Sequence, residues 1–282
     1  MTYLCFILAA LSSDSKSTCP VDSILEAILL GVLEGVTEFL PISSTGHLLI
    51  AQHWLERRSD LFNIAIQCGA ILAVTLVYRL RLLDLATTWR DPGTRDYLAK
   101  LATAFGITAV LGLVAKKLGA GLPETVQPVA WALIAGAGVI FAVERWNRGR
   151  PIVEAVTWKV AIAVGVAQII AAVFPGASRS AAAIFAALLM GLSCRPRAAE
   201  FAFLVGVPTM VAATGYELLK TLRDPAALQA EPWLELALAF GVSAVVGFVT
   251  VKWLMKFISS HSFEPFAWYR LGLGVLLLAT VS

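Results

Sequence analysis

GVLEGVTEFLPISSTGH, running from Gly31 to His47, is the stretch whose reading decides the fold. Its first half is an apolar run that carries Glu34 and Glu38 four residues apart, so on a helix both carboxylates lie on one side. Pro41 then stops the helix, because proline lacks the N–H that the ladder needs. Ser43, Ser44, Thr45 and Gly46 follow as a turn rich in hydroxyls and free backbone N–H groups, and His47 comes directly after them. Two acids, several hydroxyls and an imidazole beside a broken helix are the makings of a reaction site.

The rest of the chain makes that placement costly. Of its 282 residues, 59% are hydrophobic and 15% charged, and the mean hydropathy is +0.80. A soluble domain is nearer half apolar and a quarter charged. The chain therefore reads as a polytopic membrane protein. Its net charge of +3 is too small to imply nucleic acid. Cys5, Cys19, Cys68 and Cys194 form no CxxC pair and no metal-ligand spacing. Residues 1–20 read as an N-terminal extension; TYLCFILAAL within it resembles the apolar part of a signal peptide but lacks a basic n-region. Residues 21–282 read as a single membrane domain.

A spanning helix needs about 20 mostly apolar residues. Such stretches lie at about 60–80, 97–116, 127–146, 198–220, 233–257 and 264–282. Two more, at about 21–55 and 152–192, are interrupted by PISSTG and PGASRS. Irregular backbone at membrane depth is tolerated only where protein or a wet cavity covers it, so each reads as a re-entrant helix pair. The expected fold is all-α and integral to the membrane, with six transmembrane helices plus two re-entrant helix pairs.

Charge orients these elements. Arg79, Arg81, Arg90, Arg95, Lys100, Arg145, Arg148, Arg150, Lys159, Arg195, Arg197, Lys252 and Lys256 fall on one side, against Arg57, Arg58, Lys116, Lys117, Lys220 and Arg223 on the other. The richer side is expected to be cytoplasmic. Both chain ends then lie outside, the first broken pair enters from outside and the second from inside. That opposition suggests duplication. Laying GVLEGVTEFLPISSTG (31–46) over GVAQIIAAVFPGASRS (165–180) matches Gly31 with Gly165, Val32 with Val166, Pro41 with Pro175 and Ser44 with Ser178, and puts Glu34 on Gln168. An inverted-topology repeat of halves 21–146 and 152–282 places a site near the midplane, where the two breaks meet.

An intramembrane carboxylate is costly unless compensated, and no basic residue lies within a turn of Glu34 or Glu38. A divalent cation, Mg²⁺ or Ca²⁺, bound by both would relieve the cost and their mutual repulsion; a shared proton is the competing solution. Arg179 sits inside the second break between Ser178 and Ser180. Its guanidinium matches phosphate oxygens bidentately, and the following helix N-terminus favours anions. Ser43, Ser44 and Thr45 offer similar donors at the first break, and Gln168 a neutral ligand. His47 is placed to activate Ser44 or a water, or to protonate a leaving phosphate.

EGVTEFLPISSTGH and PGASRS at this separation, with LFNIAIQCGAILAV and GLSCRPRAAEFAFLVGVPTM after them, resemble the signatures of the bacterial undecaprenyl-diphosphate phosphatase family, also known for bacitracin resistance. The likeness runs from about Val21 to near the end. It implies hydrolysis of the lipid carrier diphosphate to the monophosphate and inorganic phosphate, with a divalent metal, at a site facing the periplasm of the bacterial inner membrane. The family's acids match Glu34 and Glu38, its serines Ser43 and Ser44, its histidine His47 and its arginine Arg179. After SRS the family usually continues with glycine and often a threonine; this chain has Ala181, Ala182 and Ala183, a departure that adds a Cβ where the second helix packs closest to the loop and bears on packing and rate there but removes no charged group. The attacking group is Ser44 or a metal-bound water. The expected partners are the prenyl diphosphate and membrane lipid, with a homodimer allowed. A transporter or flippase of a prenyl-phosphate lipid is the rival reading, since broken helices in inverted repeats are typical of transporters.

Overall fold

The computed structural model describes residues 20–55, 57–118, 126–174 and 176–280. Residues 1–19, with the signal-like stretch, and Pro175 lie outside that set. All the described elements are α-helices. α1 (Pro20–Thr37) and α2 (Ser44–Trp54) form a first hairpin, followed by α3 (Asp60–Val77), α4 (Arg79–Thr87), α5 (Pro92–Lys117) and α6 (Val126–Asn147). α7 (Trp158–Val173) and α8 (Arg179–Leu189) form a second, followed by α9 (Arg195–Arg223), α10 (Pro225–Ala230), α11 (Trp233–Ile258) and α12 (Glu264–Thr280).

Five of these, α3, α5, α6, α9 and α11, are long and apolar enough to cross a membrane. Among the described residues α12 has 17, about 26 Å at 1.5 Å per residue, a little under the roughly 30 Å of a hydrocarbon core. Val110, Leu113, Val245 and Val249 stand exposed on the outer faces of α5 and α11; so much apolar side chain on the outside of a bundle belongs in lipid.

Two boundaries differ from the sequence reading. The expected span 60–80 ends at Tyr78, whose ψ of 15° turns the chain into α4 without a proline or glycine. The start of the expected second helix pair, residues 151–157, is not helical. Ser193 holds it instead: its Oγ donates to the Pro151 carbonyl at 2.6 Å and accepts from the Val153 N–H at 2.7 Å.

α3 and α9 run antiparallel through the centre. Thr214 Oγ1 donates to the Ile64 carbonyl at one end, and Arg81 pairs with Glu200 at 3.5 Å at the other. The two hairpins are anchored at these opposite ends. At the first, Arg58 ties the return of α2 to Glu235 of α11, to Glu26 at 3.4 Å and to the Ser23 carbonyl at 3.1 Å. At the second, Arg195 grips Glu144 of α6 through Nε at 2.9 Å and Nη2 at 2.5 Å, and Glu144 also accepts the Phe263 N–H at 2.9 Å. Glu144, the buried acid of the two clamps, thus has charged and neutral donors together, the condition under which such a pair is tolerated away from water.

The long arm of each hairpin packs on a helix of the other half through a glycine. A Cβ on Gly31 of α1 would stand 2.5 Å from the Ala239 carbonyl oxygen in α11, and one on Gly165 of α7 would stand 2.7 Å from the Ala104 carbonyl oxygen in α5. Gly31→Val and Gly165→Val should therefore each lower the melting temperature in detergent, costing about 1–3 kcal/mol through overpacking. Gly272→Val, with nothing within 4 Å of the new Cβ, should not. Equal melting of all three would show that these contacts do not set the helix spacing.

Candidate active site

The α1 ladder continues one step beyond the helix, with the Glu38 N–H donating to the Glu34 carbonyl at 2.9 Å. The two carboxylates are therefore stacked one turn apart, both buried. The chain then reverses over Leu40–Ile42, where the Ile42 N–H donates back to the Leu40 carbonyl at 2.7 Å. Ser43 takes φ +76° and caps α2, its Oγ accepting the Gly46 N–H at 3.2 Å. Ser178 does the same for α8, with φ +71° and its Oγ accepting the Ala181 N–H at 3.2 Å. A non-glycine residue held in this region costs about 1–3 kcal/mol and persists where its surroundings dictate it. The caps pair Ser43 with Ser178, one residue out of step with the alignment of Ser44 on Ser178.

The first residue of each short helix is then Ser44 or Arg179, and both meet on Glu38. Ser44 Oγ donates to Glu38 Oε2 at 2.5 Å, and Arg179 Nη2 donates to Glu38 Oε1. The other terminal nitrogen of Arg179 rests against Met210 Sδ. Ser180 closes the gap between the breaks, its Oγ reaching the Leu40 carbonyl at 3.3 Å and Ser178 Oγ at 3.1 Å. Ala181 and Ala183 are buried without displacing the cap.

Glu34 is the exception among these bonded groups. Both of its carboxylate oxygens are buried with no hydrogen-bond partner, and so are both amide atoms of Gln168. Gln168 lines a cavity of about 20 Å³ with Glu38, Arg179 and Ser180 on one side and Phe39, Ile71, Phe203 and Gly206 on the other. That is room for about one water. A larger cavity, about 510 Å³, opens beside Arg57, Lys220 and Asp224 and contains none of these residues.

His47 faces elsewhere. Its Nδ1–H donates to the Ser43 carbonyl at 2.7 Å, which leaves Nε2 of the neutral ring to accept from Tyr269 Oη at 2.7 Å. The two rings stack, with centroids 5.7 Å apart. Activation of Ser44 by His47 would require one of these bonds to open. Thr45 is half-buried on the first turn of α2 and bonds to none of the other candidates.

The residues fit a divalent cation in one respect. An unpartnered buried carboxylate one turn from a second carboxylate needs a positive partner or a proton. No cluster of three or more acids, histidines and cysteines occurs among the described residues. Two carboxylates with the balance made up by substrate oxygens is the usual arrangement for Mg²⁺.

Two residues that the sequence reading passed over touch this site, Tyr269 and Arg270 of α12. An arginine in the apolar run FAWYRLGLGVLLL, with no acid within one helical turn of it, was the available signal.

A family model described as bacitracin resistance protein BacA matches residues 27–276, which takes in most of the first hairpin, all of the second and most of α12. Proteins named undecaprenyl-diphosphatase are similar over nearly the whole chain. One from Rhizobium etli is 61% identical over 255 residues, 90% of this chain and 96% of the relative. Those from Xylella fastidiosa and Xanthomonas euvesicatoria are 56% identical over 252 residues and 54% over 258, covering 89% and 92% of this chain. With this extent of match, the chain belongs to the bacitracin resistance protein BacA family.

Proposed function

We propose that this chain is a membrane phosphatase that hydrolyses undecaprenyl diphosphate to undecaprenyl phosphate and inorganic phosphate. The observation that carries the reading is the meeting of Ser44 and Arg179 on the two oxygens of Glu38, across two helix breaks, beside the unpartnered carboxylate of Glu34. A hydroxyl bonded to a base, with a guanidinium next to it, is what phosphoryl transfer to a serine requires.

In this reading the terminal phosphate takes the place of Glu38 as the partner of Arg179. The small cavity implies that the breaks part as the substrate enters. Ser178, Ser180, Thr45 and the N–H groups starting α2 and α8 supply further donors to phosphate oxygens, and Gln168 turns its free amide to the same space. Ser44 attacks the terminal phosphorus while Glu38 takes its proton; the bond to the bridging oxygen breaks, and undecaprenyl phosphate leaves. Glu38 hands that proton to the departing oxygen, then takes one from the water that cleaves the phosphoserine and passes it to Ser44 Oγ, so inorganic phosphate is released and the Ser44 hydroxyl and Glu38 carboxylate are both restored. His47 and Ser43 hold the cap from which Ser44 projects. Glu34 and Glu38 hold a divalent cation, Mg²⁺ or Ca²⁺, which when bound neutralises charge on the transferred group.

The same reading places the two hairpins as re-entrant pairs of an inverted repeat, with α12 as the sixth span. Anchorage at opposite ends of the bundle, the serine caps of like conformation and the matched glycine contacts support it. The Arg58 end carries the smaller basic load and faces the periplasm, so the acidic hairpin is approached from that side.

Purified full-length protein in detergent, given undecaprenyl diphosphate and Mg²⁺, should release inorganic phosphate. Chelation should stop the release, and added Mg²⁺ or Ca²⁺ should restore it. Movement of the lipid across a vesicle bilayer without phosphate release would identify a flippase instead.

A further inference from the structure

Glu38 and Arg179 sit at the edges of two helix breaks inside a helical bundle, and besides the contacts the hairpins make with each other, one group that joins the two breaks belongs to neither hairpin. Arg270, in α12, is fully buried. Its Nη1 donates to the Pro41 carbonyl at 3.0 Å and the Ala177 carbonyl at 3.2 Å. Its Nη2 donates to the Gly176 carbonyl at 2.9 Å and the Ala132 carbonyl at 3.0 Å, and its Nε to the Leu133 carbonyl at 3.3 Å. A guanidinium has five N–H donors in a fixed fork, and here all five meet backbone oxygens. No carboxylate forms an ion pair with it among the described residues. Space for the fork is made by Gly136 of α6, where a Cβ would stand 1.9 Å from Nη2.

The Pro41, Gly176 and Ala177 carbonyls belong to the breaks, where no helical N–H is available to them and water is scarce. One rigid cation answers all three and ties them to α6. The preceding residue, Tyr269, holds His47 from the same helix. We propose that Arg270 is a positioning residue for phosphoryl transfer: its guanidinium bridges the Pro41 break to the Gly176–Ala177 break, and so sets the distance between Ser44 with Glu38 on one hairpin and Arg179 on the other. It rests on the phosphatase reading above.

A residue that merely holds the fold together would lower stability without a specific effect on turnover, so the test separates the two. Arg270→Lys keeps the charge but has three donors on one nitrogen, too few and too close together for both breaks and α6. Gly136→Ala keeps the arginine and displaces it. Glu144→Gln, at the far clamp, weakens the bundle without touching either break. All are assayed as full-length protein with farnesyl diphosphate and Mg²⁺, alongside melting temperature. Arg270→Lys should lose about 100-fold in kcat and Gly136→Ala about tenfold, each with KM within about threefold, as expected for misplaced reacting groups. Glu144→Gln should melt earlier yet keep kcat within about twofold. The proposal is overturned if Arg270→Lys keeps kcat within about twofold, or if kcat falls no further than in Glu144→Gln at equal loss of melting temperature. If Arg270→Lys does not fold, Gly136→Ala decides alone, and unchanged kcat there overturns it. An inactive wild-type protein would instead count against the phosphatase reading.

Discussion

Arg179→Ala should lower kcat for phosphate release about 1,000-fold, at the upper end of what one preorganised charged donor contributes. The guanidinium is partly buried, bonded to Glu38 and seated at the first position of α8, so it is already aimed when a phosphate arrives. Alanine removes both donors directed at the phosphate oxygens and leaves Glu38 with Ser44 as its remaining partner. Arg179→Lys should recover about tenfold of the loss and no more, because an ammonium cannot fork onto two oxygens. Steady-state phosphate release, with circular dichroism to confirm the helices, checks both. Retention of more than a tenth of wild-type turnover by the alanine variant would remove Arg179 from the site.

Glu34→Leu should abolish turnover and yet make the apo-protein more stable. Both oxygens of Glu34 are buried without a donor, one turn from a second carboxylate. Replacing such a group with an apolar one of similar size removes an unmet desolvation cost of about 1–3 kcal/mol. In chelator the variant should melt above the wild type. Adding Mg²⁺ or Ca²⁺ should raise the wild-type melting temperature, by up to about 2.7 kcal/mol of stabilisation at a hundredfold excess over Kd, and leave Glu34→Leu unmoved. An equal rise in both proteins would put the cation elsewhere. This readout needs no turnover, so it tests the metal site separately from the reaction.

Much of this was legible in the chain because the signals are local. The helix break at Pro41, the four-residue spacing of Glu34 and Glu38, and the serines flanking each break are all read within a dozen residues. The structure brings Glu38 and Arg179 together as their chemistry demands. The repeat alignment slipped by one residue at the caps, since it followed the prolines, whereas the backbone is governed by which serine takes positive φ. Tyr78 turns the chain with no breaker residue, so that boundary was invisible. His47 was expected beside Ser44; its ring is claimed instead by Tyr269, 222 residues later. Arg270 was missed for the same reason. Its partners are backbone carbonyls, which carry no sequence identity, and they come from three separate segments.

The order of synthesis gives that last contact a temporal meaning. Arg270 emerges 229 residues after the Pro41 carbonyl it holds. At ribosomal rates of about 5–20 residues per second, the acidic hairpin exists for roughly 10–45 s before its brace is made. The nascent protein carries its reactive groups first and acquires their alignment last. A chain released before α12 would be inert rather than an unregulated hydrolase.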